Sequence, residues 1–130
     1  MTNDALGIAG TGLTLHRKWL DAVADNLANV NTVTSTDDAA FRARYVLATE
    51  RRLPTPAPHG AGAAWGSAEG RLPYEPDHPL ADEDGYVRYP DIDMSEQMGS
   101  LILAQRGYQA TGAGSARAKT AYDEALQLGT

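Results

Sequence analysis

Cysteine is absent from this chain of 130 residues, so neither disulfides nor cysteine-based zinc sites organise it. Phe and Trp are scarce, one and two, and much of the apolar fraction is Ala. Ala buries little area, so a large self-sufficient core is not expected, and stability should depend on packing against copies of the chain or partners. A basic excess is also missing: 11 Lys and Arg stand against 17 Asp and Glu, a formal charge of -6. Nucleic acid rewards clustered cations, so it is not an expected partner. No apolar run approaches the length of a membrane span, and residues 1–4 carry no basic stretch leading into one. The expectation is one small soluble domain without a cleaved secretory signal.

The patterns of catalysis are missing as well. His16, His59 and His78 are scattered, and no HExxH, GxSxG, P-loop or GxGxxG occurs. Gly10-Thr11-Gly12 is too short for a nucleotide loop and follows no strand. Asp82-Glu83-Asp84-Gly85 looks like part of a calcium loop but lacks the ligand spacing and the terminal Glu. The expectation is therefore no catalytic residue, no metal, no cofactor and no small-molecule substrate: not an enzyme.

What is present is heptad spacing at both ends. Leu6, Leu13, Leu20 and Leu27 recur every seventh position, with Ala9, His16, Val23 and Val30 three residues after each. That is the a/d pattern of a helix built for a supercoil, and it places His16 in a seam rather than a catalytic site. Residues 2–4 are N-cap types, predicting a helix from about Ala5 that fades over residues 30–34. Gly7, Gly10 and Gly12 leave two readings open: a frayed start, or close approach of another helix that orders the segment on arrival.

The second helix is predicted over residues 94–128, with Asp93 or Ser95 as N-cap and Gly129 as stop. Met94, Leu101, Tyr108 and Tyr122 hold its heptad, with Ala104, Thr111, Ala118 and Ala125 between them. Gly107, Gly112 and Gly114 fit either a kink or close helix contact. Between the helices, residues 41–53 alternate as a half-buried strand, residues 54–70 read as a long Pro/Gly/Ala loop, and residues 86–89 as a short strand stopped by Pro90. Arg42, Arg44, Arg51 and Arg52 form either a solvated face or a contact for an acidic neighbour. Trp65 is either a loop anchor or an exposed contact. The fold class expected is mainly α: long terminal helices (1–33 and 91–130) paired as an antiparallel coiled coil, with a small irregular β/loop region (34–90) between them.

Three stretches carry a family resemblance. Leu13 to Thr32 contains Asp25-Asn26-Leu27-Ala28-Asn29-Val30-Asn31-Thr32, which resembles the N-terminal motif of flagellar rod and hook proteins, with Asp25 where the first Asn usually stands. Asp77 to Asp93, around Gly85-Tyr86-Val87-Arg88-Tyr89-Pro90, resembles a segment of one short proximal-rod member. Glu96-Gln97-Met98 through Ala110, and Ala118 through Gly129, resemble the family's C-terminal helix, with Thr111 replacing the usual Asn. The resemblance implies a structural subunit of the basal-body rod, the periplasmic drive shaft and export channel, leaving the cell through the flagellar export apparatus. Its partners would be copies of itself, other rod proteins, and basal-body ring and export-gate-adjacent components. It implies that Leu6, Leu13, Leu20, Val23, Leu27 and Val30 pack with Met98, Leu101, Tyr108 and Tyr122. Leu126 joins this assembly interface, and Asn26 and Asn29 make inter-subunit or turn-forming polar contacts. A different rod component, or a free-standing helical adaptor folded without partners, are the alternatives.

Overall fold

The structure, a computed structural model, describes residues 2–48 and 61–129. Four elements follow in order: helix α1 (Thr2–Ala28), strands β1 (Arg44–Ala48) and β2 (Ala61–Trp65), and helix α2 (Met94–Leu128). The chain is thus mainly helical with a small antiparallel sheet, as its pattern implied.

α1 starts three residues before the expected Ala5 and runs through all three glycines. Thr11 and Thr14 fold their hydroxyls onto the carbonyls of Gly7 and Gly10, each at 3.0 Å. At its other end Asn29 closes the helix: its amide nitrogen Nδ2 donates to the Asp25 carbonyl at 2.9 Å, and its Oδ1 accepts from Thr32 Oγ1 at 3.1 Å. α2 begins at an extended Asp93 whose Oδ1 accepts from the Glu96 amide at 2.9 Å, satisfying one of the free donors of the first turn. It ends at Gly129, whose N–H donates to the Ala125 carbonyl. At 1.5 Å per residue it spans about 52 Å.

The helices lie antiparallel, because low-numbered residues of α1 meet high-numbered residues of α2. Gly12 faces Thr111, His16 lies over Gly107, and Asn26 bonds Gln97. A Cβ on Gly107 would stand 2.5 Å from His16 Cε1, and one on Gly12 3.1 Å from Thr111 Cγ2. Close approach is therefore the reason for glycine at these two positions. Gly7, Gly10 and Gly114 face nothing within 4 Å, so that reason does not extend to them.

The middle of the chain differs from the expectation in two places. Residues 61–65 are not loop: β2 pairs antiparallel with β1, Arg44 opposite Trp65 and Ala48 opposite Ala61. Ala-Gly-Ala-Ala-Trp has no apolar alternation and weak strand propensity, so it takes its form from the backbone groups of β1 rather than from its own side chains. The strand expected over residues 41–53 is confined to β1 among the described residues, and residues 49–53 lie outside them, as do Arg51, Arg52 and His59. Residues 86–89 form isolated bridges instead of a strand, Tyr86 with Tyr74, Arg88 with Thr34 and Tyr89 with Arg71. Two glycines make these crossings fit. Gly70, at φ 62°, runs so close to Tyr89 that a Cβ would sit 2.0 Å from its carbonyl oxygen; Gly85, at φ 87°, leaves room for the Tyr74 ring.

The core is small. Val30, Ala43 and Ile92 form one cluster with Phe41 against it, where the end of α1, the approach to β1 and the approach to α2 converge. Among the described residues Ala22, Val23, Ala40, Val87, Pro90 and Ala104 are buried as well. Val or Ile burial contributes about 1.5–3 kcal/mol per side chain, so this chain gains little from burial for its length.

Candidate assembly surface

The seam between the helices is built from small and polar groups. On α2 the buried residues are Gln97 and Ala104, one heptad apart, with Leu101, Gly107, Thr111 and Gly112 half-buried beside them. On α1 the facing line includes Leu13, His16, Leu20, Val23 and Asn26. Asn26, 1% exposed, makes three hydrogen bonds. Its Nδ2 donates to the Arg44 carbonyl at 2.9 Å and to Gln97 Oε1 at 3.1 Å, and its Oδ1 accepts from the Arg44 amide at 2.8 Å. One carboxamide thus touches α1, β1 and α2 together. Beside it Arg44 pairs with Asp25 at 2.5 Å, a half-exposed ion pair of little weight.

The residues singled out from the sequence fall into two sets. Val23, Val30 and Asn26 are buried, and Leu6, Leu13, Leu20, Leu27, Asn29 and Leu101 are half-buried. Met98, Tyr108, Tyr122 and Leu126 are exposed, from 37% at Tyr122 to 53% at Leu126. Met94, Ile102, Leu103 and Leu128 are exposed apolar residues of the same helix. Gln97, which the sequence marks only through its motif, lies one heptad before Ala104 and two before Thr111.

Where α2 runs beyond this seam follows from the pairing. With Asn26 level with Gln97 and Gly12 level with Thr111, Tyr122 reaches the first residues of α1, and Leu126 and Leu128 lie past them.

The stretch around Gly85 is a closed polar turn. Asp82 accepts from the amides of Asp84 (3.0 Å) and Tyr86 (2.8 Å) through Oδ1, and from Thr36 Oγ1 (3.0 Å) through Oδ2. These bonds, that of Tyr86 foremost, hold its carboxyl below the usual Asp range. Its oxygens serve the turn. Arg88 reaches from here to the carbonyls of Glu69 and Thr36, tying residues 34–36 to residues 69–71. The Tyr89 phenol meets both carboxylate oxygens of Glu75 at 3.2 Å, and desolvation, then the Glu75 charge, raise its pKa. The Tyr45 phenol is raised likewise, first by desolvation and then by Glu96 and Asp91, which sets β1 beside the start of α2.

A cleft of about 330 Å³ separates α1 from the hairpin and is lined by Lys18, Asp21, Arg44, Val46, Gly62 and Ala63. Among the described residues no group of His, Asp and Glu is placed to hold a metal, and no helix is long and apolar enough to cross a membrane.

Comparison with known proteins converges on one family. The family model described as flagella basal body rod protein matches residues 6–34, the stretch from the first Leu of the heptad to the end of the Asn motif. The chain is 39% identical over 106 residues to the flagellar basal-body rod protein FlgC of Escherichia coli O6:H1, covering 79% of each chain. The FlgC of Salmonella typhimurium matches equally. That of Borreliella burgdorferi is 27% identical over 144 residues, 95% of each chain. The chain belongs to the FlgC family of flagellar basal-body rod proteins, a structural family and not an enzymatic one.

Proposed function

We propose that this chain polymerises into the proximal rod through its terminal helices, with copies of itself and other rod proteins as neighbours. In this reading it forms part of a periplasmic drive shaft and export channel, exported without a cleaved signal peptide and in reach of ring and export-gate-adjacent components. The observation that carries it is the state of α2. Over its length it leaves Met94, Met98, Ile102, Leu103, Tyr108, Tyr122, Leu126 and Leu128 exposed, while the chain's own buried core is a handful of Val, Ile and Ala. Apolar side chains left exposed along a long helix, on a chain with a small core, are what a subunit completed by its neighbours requires. The interface residues are then Met98, Tyr108, Tyr122 and Leu126 toward neighbours, with Leu6, Leu13, Leu20, Leu27, Val23, Val30 and Leu101 holding the helix pair that presents them.

An in-frame deletion in the source organism tests this, with motility assayed and basal bodies imaged by electron microscopy. The expected result is loss of rod, hook and filament with the membrane ring retained, restored by a plasmid copy. Complete flagella in a strain that carries no second copy would sink the reading.

A further inference from the structure

Close packing alone does not fully define the alignment of the α1–α2 seam. Move α2 by one heptad, about 10 Å, and His16 passes from Gly107 to Gly114, while Gly12 passes from Thr111 to Ala118. Move it the other way and they meet Ser100 and Ala104. The second shift puts the Cβ of Ser100 where His16 leaves no room, so shape excludes it. The first keeps glycine under His16 and a small residue opposite Gly12, and Lys119, which replaces Gly112 beside Leu13, can carry its ammonium to solvent, so shape does not exclude that slip. The apolar cluster of Val30, Ala43 and Ile92 holds the inner end, but apolar contact is non-directional.

The polar contact behaves differently. In the first slip Asn26 would face Ala104, and in the second Pro90, which precedes the helix. Either way the buried carboxamides of Asn26 and Gln97 lose each other where water cannot replace the bond, an outcome that costs more than the bond contributes. A single buried Asn fixing helix register is known physics in coiled coils. Here it has a second grip: the N–H and C=O of Arg44, turned away from β2, both bond the same side chain. The Asn26 amide takes the place of one residue of a third strand on the outer edge of β1.

We infer that Asn26 is the specificity-determining residue of the helix pair, setting the heptad register of α1 against α2 through Gln97 and fixing the hairpin to that register through Arg44. Its meaning for the rod rests on the proposed assembly, because register decides how far α2, with Tyr122, Leu126 and Leu128, extends past α1. The register itself is a property of the isolated chain, so it stands or falls separately from the deletion phenotype.

Introduced cysteines read the register directly, since the chain has none of its own. The pair L13C/G112C reports the native alignment, as a Cβ at Gly112 lies 3.7 Å from Leu13 Cδ2. The pair L13C/K119C reports the slipped one. In the purified, otherwise native chain, oxidation should link the first pair and barely the second. Adding N26L should raise the yield of the slipped pair about tenfold with helical circular dichroism retained. Q97L, which leaves the Arg44 bonds in place, should raise it by a smaller factor of about three, and it decides the matter if N26L loses helical signal. Unchanged yields for both pairs in Q97L and in a folded N26L would overturn the inference and assign the register to the Val30–Ile92 cluster.

Discussion

The two ends of α2 are held very differently. From Gln97 to Ser115 every turn places at least one residue partly or wholly out of solvent, whereas every residue from 116 to 129 is exposed. α1 mirrors this: its buried residues, Ala22, Val23 and Asn26, lie near the hairpin, and residues 6–16 are half-buried at most. The inner end has directional bonds, an apolar cluster and a hydrogen-bonded turn region around it. The outer end has helical backbone and surface pairs such as Lys119 with Asp123 at 3.1 Å. Helices in water take most of their stability from tertiary packing rather than propensity, so cohesion resides at the inner end and the outer end is the part a neighbour would complete.

The sharpest way to break the inner end is Gly70→Ala. The new Cβ would meet backbone oxygen, which cannot swing aside, at a φ that L-residues rarely adopt. We expect a loss of about 3 kcal/mol or more, read as a drop in thermal midpoint together with loss of the Arg71–Tyr89 bridge amides in hydrogen exchange. A midpoint within error of the parent would show that the crossing of residues 70–71 over Tyr89 is not part of what holds the inner end.

How much of this was legible in the sequence follows the same division. The helices were, because Leu at seven-residue spacing, the Asp93 cap and the Gly129 stop are local signals that the fold obeys. β2 was not, because Ala61–Trp65 carries no period and is a strand only by virtue of its partner. The buried line of α2 was half legible. Heptads mark it, but Ala104, whose smallness allows close approach, and Gln97, held by its hydrogen bond to Asn26, occupy it. The role of Asn26 as a three-way contact needs Arg44 and Gln97 brought together from 18 and 71 residues away, which no local pattern encodes.

A smaller effect should appear in acid. The Asp82 carboxyl is held below its ordinary range by hydrogen bonds made only in the folded turn. A depressed carboxylate contributes stability that is fully present above its unfolded pKa and is lost as pH falls through the folded value. The turn should therefore be indifferent to pH from neutrality down to about 4 and loosen below it. The Tyr86 and Asp84 amide resonances should report this, and Asp82→Asn should blunt the transition. If Asp82 titrated with the ordinary Asp range, its hydrogen bonds would not be what closes the turn.

At the outer end the contrast reverses, and the smallest effect on the isolated chain should accompany the largest in the cell. Leu126 is half exposed and lies past the start of α1, so Leu126→Ser removes little that the folded monomer uses. Its stability should change by no more than about 0.5 kcal/mol. If neighbours complete this end, the same substitution puts a hydroxyl where an apolar contact is needed, and the strain carrying it should be non-motile with rods absent or truncated. Tyr122→Ser should act in the same direction but with some loss of monomer stability, because Tyr122 is level with α1 rather than beyond it. Swimming cells with complete basal bodies in the Leu126→Ser strain would mean that the exposed turns of α2 are surplus length, and would move the assembly surface toward Met94, Met98 and Ile102 at the inner end.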